Sequence, residues 1–474
     1  MGIWEWESFE DIICSSRFQV IDSGPLYGPI TNFSIKRNQK LKLVFSSFSA
    51  GDSVAPEVEW VSGTVRTNLD SVEFKDYFGC TARAVGVTPV DHRASHNYIT
   101  NDSSTRQEST VNYVEANFPN AIVDFKIDWV LNMGDGIMWP HSEKQEVENV
   151  KRVWWGVDGF EVSSKDTRGR NSNSCFCFSV AGMDIVVGRS QESNEDGQKR
   201  GYILYKGDID DDVRSKIRGC LSFALGSYLV YLGTASFSKS GQLGYLKSLS
   251  AYSIGGRVFE IGGLAPAPLG FTYERELNPE VASRMINALY ESYDKFNLQY
   301  LFWQYWHAQC APYHIAAVHF GAAIESLQKR YMDVCEKLSL GSIMSKGNWR
   351  KLYAGLKGVV ESGGFDSGEC DLLIQQLGNL NRAPQKIVME RFLNALGISL
   401  GTVELDAWQH RNDAAHGNEI SSDGQINLIR GNKVLRVMLD RMILKMTNAS
   451  DYYVDYYSYG FPVRALTDPI PTSE

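Results

Sequence analysis

Cysteine is scarce and unpatterned. The 474-residue chain holds eight, with no CxxC pair and no Cys/His set at zinc spacing. That excludes a small disulfide scaffold and predicts reduced, structural thiols in a cytoplasmic protein. Positive charge is also short: 47 Lys and Arg face 56 Asp and Glu, a net −9. Capture of nucleic acid by bulk positive charge is therefore disfavoured. No Lys or Arg precedes Arg17, while Glu5, Glu7, Glu10 and Asp11 do, so a secretory leader with its basic start and apolar run is not expected. Long apolar runs are missing but for Gly219–Ser238, which carries no charge. Its three glycines, four serines and one threonine, following the helix-starting acids Asp210–Asp212, predict a buried helix, not a membrane span. There is no P-loop, HExxH, GxSxG or dinucleotide fingerprint, and neither a metal nor a cofactor is expected.

What is present is an ordinary globular composition. Hydrophobic residues make up 43% and charged residues 22%, and 12% aromatics exclude a disordered chain. Two classes of periodicity divide the sequence and predict an α+β protein. Residues 1–270 carry short alternating runs such as Leu41–Phe45, Ala121–Asp128 and Phe176–Val180, with turn chemistry at Ala50–Asp52, Gly134–Gly136 and Glu195–Gly197. The reading is a β-rich regulatory or sensor domain with one inserted helix near 210–232 and a long polar loop over 95–110. After the Leu264–Pro268 junction, helical spacing takes over. Residues 279–449 predict an all-α bundle, with Pro279 and Pro312 at first-turn positions and helices over 279–307, 312–338, 346–361, 370–380, 386–396, 403–416 and 426–449. The tail, 450–474, either packs on the bundle or stays loose. The acidity belongs mostly to the first part: residues 1–279 hold 28 bases and 35 acids (28 − 35 = −7), and 280–474 hold 19 and 21 (19 − 21 = −2).

One constellation carries chemistry: Arg411-Asn412-Asp413-Ala414-Ala415-His416-Gly417, at the end of a predicted helix. An Arg–Asn–x3–His run arises roughly 0.02 times by chance in a chain of this composition. RNA is cleaved without metal when its 2′-hydroxyl attacks the adjacent phosphate. That step needs a proton acceptor, a donor for the leaving 5′-oxygen and positive charge on the phosphate. His416 suits proton transfer near neutral pH. Arg411 offers a planar cationic fork. Asn412, four residues before His416, shares its helix face. One site supplies a single imidazole, so acid and base are assembled more easily where two copies meet across a two-fold axis. The structural alternative stays open: Arg411 pairs with Glu404 or Asp406, and His416 caps the helix.

An RNxxxH run on the penultimate helix of a small bundle resembles the HEPN superfamily of ribonucleases. His319-Phe-Gly-Ala-Ala-Ile-Glu325-Ser-Leu is similar to an early helix of that family. The β-rich first half gives the chain the character of ApeA-type HEPN proteins of bacterial anti-phage defence. The resemblance implies a homodimer joined through the helical bundle, a composite metal-independent RNase site with Arg411 and His416 catalytic and Asn412 assisting, and Glu325 as a supporting acid. It also implies an RNA substrate, a toxic abortive-infection role and a phage-derived trigger acting on the N-terminal domain. Lys329, Arg330, Lys346, Arg350, Lys351, Arg382 and Lys386 are candidates for a local basic rim. With so little bulk charge, the resting protein is expected to hold RNA weakly. Two other readings remain open: a non-catalytic helical module binding RNA or protein, and a carbohydrate-binding or hydrolytic β-domain with a helical appendage.

Overall fold

A computed structural model describes residues 12–51, 70–99, 102–119, 121–133, 137–143, 150–153, 161–164, 172–189, 201–250, 266–271, 276–335, 341–415 and 424–472. The turns at Gly134–Gly136 and Glu195–Gly197, and Leu264–Ala265 of the junction, lie outside these. The architecture is α+β, with a β-rich region followed by a helical one. The chain divides into two compact units, Met1–Ser283 and Arg284–Glu474.

The first unit is built on antiparallel pairing. Its strands are β1 (Phe18–Asp22), β2 (Asn32–Arg37), β3 (Leu43–Ala50), β4 (Ser71–Asp76), β5 (Thr81–Val85), β6 (Thr88–Asn97), β7 (Asp102–Val111), β8 (Tyr113–Asn117), β9 (Phe125–Val130), β10 (His141–Glu143), β11 (Val150–Val153), β12 (Glu161–Ser164), β13 (Ser172–Val180), β14 (Met183–Arg189), β15 (Gly201–Lys206), β16 (Tyr231–Phe237) and β17 (Leu243–Leu249). Eleven form one sheet in the order β1-β4-β5-β8-β17-β16-β9-β15-β14-β13-β10, and four form a second, β2-β3-β7-β6. The pair β11-β12 stands apart. Alternating burial along β3 and β4 turns Leu43, Phe45, Val72 and Phe74 into a core shared by both sheets. There the rings of Phe33, Phe45 and Phe74 meet with centroids 4.7–5.9 Å apart. Arg37 of β2 ties the sheets together, donating to Leu249 O at 2.6 Å and Ser248 Oγ at 2.8 Å.

Two expectations change here. The predicted polar loop over 95–110 is instead most of the β6–β7 hairpin. Along β7 the side chains alternate in burial, with Thr105, Gln107 and Ser109 inside, although both faces are polar up to Thr110. Gln107 satisfies itself on the backbone of Tyr27, accepting from its N–H at 3.0 Å and donating to its carbonyl at 3.1 Å. The charge-free run 219–238 is not one helix. Helix α1 (Asp211–Leu225) ends at Gly226, whose left-handed backbone (φ 64°) lets its N–H bond the Phe223 and Ser222 carbonyls. The run then enters the wholly buried strand β16. A buried ionic cluster fixes α1 to the large sheet: Asp128 of β9 accepts from Arg214 and Arg218, and Asp211 also pairs with both. Burial, reinforced by the Asp128 charge, pushes the hydroxyls of Tyr205 and Tyr231 above the ordinary phenol range.

The second unit contains α2 (Pro279–Ser292, which begins before the boundary), α3 (Leu298–Cys310), α4 (Tyr313–Val334), α5 (Lys346–Ser362), α6 (Ser367–Asn379), α7 (Gln385–Leu396), α8 (Thr402–Ala415) and α9 (Gly424–Thr447). The helix expected over 279–307 is two, broken where Asn297 takes a left-handed backbone (φ 51°). Helices α4, α8 and α9 pack on one another, with Phe320, Ile324, Val434, Met438 and Met442 buried. The tail packs on the bundle: β18 (Tyr452–Val454) pairs with β19 (Val463–Ala465), and the Leu466 carbonyl accepts from Arg441 of α9 at 2.9 Å. No described helix is long and apolar enough to cross a membrane, and none of the eight cysteines is in a disulfide.

Asp440 of α9 lies in this core at 3% exposure, against Tyr305 and Arg436. Burial pushes its carboxyl up to about 7, although the Arg436 charge and a Tyr305 hydrogen bond pull the other way. An unfolded aspartate titrates near ~3.9, so the fold favours the protonated acid. Stability is then fully kept below about pH 4 and eroded as pH rises toward about 7, by on the order of 4 kcal/mol. Asp440→Asn is expected to flatten that slope. Urea midpoints at pH 5 and pH 8 should lie closer together in the variant, and an unchanged difference would refute the assignment.

Candidate functional site

The site is built outward from a buried anchor. Helix α8 begins at Thr402, and the Gly401 N–H donates to Glu404 Oε2 at 2.6 Å, so the acid closes the first turn. Glu404 is fully buried and ion-paired to Arg441, itself buried on α9. Arg441 also donates to Ser399 O at 3.1 Å and lies over the Tyr453 ring at 4.9 Å. Burial raises the Glu404 carboxyl, and the Arg441 charge and the backbone N–H groups of Gly401 and Ile470 oppose it. This pair sets the position of α8 against α9.

Two turns further along α8 is Arg411, 9% exposed. Three contacts fix it. Its guanidinium lies over the Trp408 ring at 3.6 Å. Nη2 reaches Glu325 Oε1 of α4 at 2.6 Å. The rest of the side chain crosses α4 at Gly321, where a Cβ would stand 2.7 Å from Cδ and 3.1 Å from Nη1. A side chain at position 321 would displace the arginine, which accounts for a glycine inside an otherwise regular helix. The Glu325 side chain is 46% exposed, so the guanidinium is held from below and the carboxylate meets solvent.

Arg411 and Glu325 are therefore brought together. The alternative pairing of Arg411 with Glu404 does not occur, because Glu404 is committed to Arg441. Asn412 is on α8, but its side chain lies outside the described residues, as do His416 and Gly417 entirely. Trp408 and Gly321 are the contributors that sequence reading passed over. Trp408 stands three residues before Arg411, the spacing of helix neighbours, and a glycine within an Ala-rich helix signals a close approach.

Other candidates resolve as structure. Leu301, Phe302, Tyr305 and Trp306 are core. Trp303 is half-exposed, stacks on Tyr300 with centroids 5.8 Å apart and meets the tilted His307 ring at 4.0 Å. Asp208 pairs with Lys126 and Asp212 with Lys216. Among the described residues no group of three or more His, Cys, Asp or Glu could hold a metal ion. No family model, curated protein or solved structure matches the chain.

Proposed function

We propose that this chain is a metal-independent endoribonuclease of the HEPN type, working in the cytoplasm as a homodimer joined through its helical bundle. In this reading it is an abortive-infection effector: a phage-derived trigger acts on the β-rich unit, and the helical unit cleaves RNA. The observation that supports it is Arg411, a guanidinium fixed on three sides five residues before His416.

The chemistry balances without metal. The 2′-oxygen forms a bond to phosphorus as its proton passes to one imidazole. The P–O5′ bond breaks, and the leaving oxygen takes a proton from the second copy's imidazole. Arg411 holds the phosphate oxygens through the developing negative charge, with Glu325 released to solvent. Products are a 2′,3′-cyclic phosphate and a 5′-hydroxyl.

The test is cleavage of total RNA by purified protein in EDTA, with the ends identified. Cyclic phosphate ends, abolished by His416→Ala, are the expected result. A requirement for Mg²⁺, or full activity without His416, would sink the mechanism. A second reading draws on the neutralisation of Arg411 by Glu325: a non-catalytic helical module binding RNA or protein. RNA binding that survives His416→Ala, with no cleavage by either protein, would favour it.

A further inference from the structure

Between the start of α3 and the second half of α4 opens a cleft with about 410 Å³ of empty space. The left-handed backbone at Asn297 turns the chain into α3, with Phe296 just before the turn and Tyr300 in the first turn of the helix. Both rings line the cleft, Phe296 buried and Tyr300 50% exposed. Trp303 stacks on Tyr300, with centroids 5.8 Å apart and planes 9° from parallel, which holds the tyrosine ring in place. Opposite, Ser326, Lys329, Arg330 and Asp333 line the cleft from α4, at the spacing of one helix face.

The cations there have hydrogen-bonding capacity to spare. Lys329 is exposed and makes no ion pair among the described residues. Arg330 donates from Nη2 to the Asp294 carbonyl at 3.4 Å, and its buried Nε has no acceptor among the described residues. Lys329 and Arg330 against Asp333 leave the lining at a net positive charge (2 − 1 = +1). A third cation is near, since Lys295 Nζ stands 4.9 Å from the centre of the Phe296 ring.

This chemistry selects its occupant. A bare phosphate would leave the exposed tyrosine ring unused, and an apolar side chain of a peptide would leave both cations unused. A ligand that joins a flat π face to an anion uses both, and a nucleotide is that ligand. Asp333 and Ser326 then supply acceptors for a ribose hydroxyl or a base amine. The place of the cleft is equally informative. Glu325, which pairs with Arg411, directly precedes Ser326 and stands one helical turn from Lys329, about 6 Å along α4. One nucleotide of a single strand spans that distance.

We propose that the α3–α4 cleft takes one nucleotide of a single-stranded RNA, its base on Tyr300 and its phosphate on Lys329 and Arg330. The proposal deepens the nuclease reading and rests on it only for setting that nucleotide next to the scissile phosphate at Arg411. Tyr300 and Lys329 are positioning residues. With one net positive charge at the cleft, affinity is weak, as the acidic balance of the chain requires.

The experiment is the anisotropy of a fluorescein-labelled single-stranded RNA of about ten nucleotides, titrated with the full chain carrying His416→Ala so that the probe survives. Adding Tyr300→Ala should weaken binding about tenfold, and Tyr300→Phe should bind as its parent does, because stacking needs only an aromatic face. Lys329→Ala should lower the slope of log affinity against log salt by about 0.7, the value of one phosphate contact on a single strand. A lysine with a merely structural role would leave that slope unchanged. Tyr300 is half-exposed and Lys329 exposed, so melting curves should not move. Binding by the Tyr300→Ala chain as tight as its parent's, or no saturable binding up to about 1 mM, would overturn the proposal. So would a free mononucleotide that saturates the chain in calorimetry and is not displaced by the RNA. With His416 in place, Tyr300→Ala should raise KM about tenfold and leave kcat within about twofold. RNA binding that depends on Tyr300 and Lys329, with no cleavage by the wild type, retains the cleft and discards the nuclease reading.

Discussion

Arg411→Ala is expected to lower RNA cleavage by about three orders of magnitude while leaving the helical unit folded. In the proposed reaction, the loss follows from removing fixed positive charge at the phosphate as charge develops there. The fold survives because of what the arginine leaves behind. Its carboxylate partner, Glu325, is 46% exposed and returns to water. The lost stacking on Trp408 costs about 1 kcal/mol. Arg411→Lys keeps the charge but neither the planar fork nor the stack, so an intermediate loss of about ten- to a hundredfold is expected. Initial rates on a fluorescent RNA, with melting curves on the same preparations, check both. Activity of Arg411→Ala within tenfold of the wild type would remove this residue from the mechanism.

Arg441→Met should produce the largest loss of stability, about 3–5 kcal/mol. The side chain is 1% exposed and paired to a Glu404 that is wholly buried. Removing the arginine strands that carboxylate, whose pKa burial already raises and Arg441 holds down. Glu404 would then be driven to its protonated form, so the variant should lose more stability at pH 8 than at pH 5. The carbonyls of Ser399 and Leu466 also lose their donor. Arg441→Met/Glu404→Leu is expected to recover most of the loss, because no charge is left unpaired. Denaturant titrations of the single and double variants give the result directly. A single variant as stable as the wild type would mean that the pair does not anchor α8.

What could be read without coordinates was whatever local spacing carries. Alternation in Leu41–Phe45 and Phe176–Val180, and helical spacing beyond Pro279, separated a strand-rich half from a helical one. The boundaries failed where one residue's backbone decides. Asn297 splits the helix expected over 279–307 by adopting a left-handed conformation that its neighbours do not announce. At Gly226 the apolar character continues unchanged from helix into strand, so hydrophobicity held no signal. The hairpin of β6 and β7 was missed for the opposite reason. The buried positions of β7 before Val111 are Thr, Gln and Ser, so period-two burial left no trace in polarity there. At the site, Arg411 was singled out by its spacing to His416, and Glu325 was named only through the family resemblance, as a supporting acid and not as the partner of Arg411. Local reasoning offers Glu404 and Asp406 on the same helix, whereas the acid that meets it, Glu325, comes from α4. A contact between helices distant in sequence follows from tertiary packing alone.

The partners of Arg441 have a consequence for how the chain matures on the ribosome. Its guanidinium is satisfied by residue 404, by residue 399 and by the carbonyl of residue 466, and it lies over the ring of residue 453. During synthesis α9 emerges before residue 466, with a buried-type cation whose last acceptor does not yet exist. In unit one, the described residues of the core shared by its two sheets are all made by position 246. Folding is therefore expected to be ordered in time: the β-rich unit closes first, and the helical unit completes itself only after residue 466 is free. A nascent chain carries its β-rich half ready-made while the half bearing Arg411 is still unfinished.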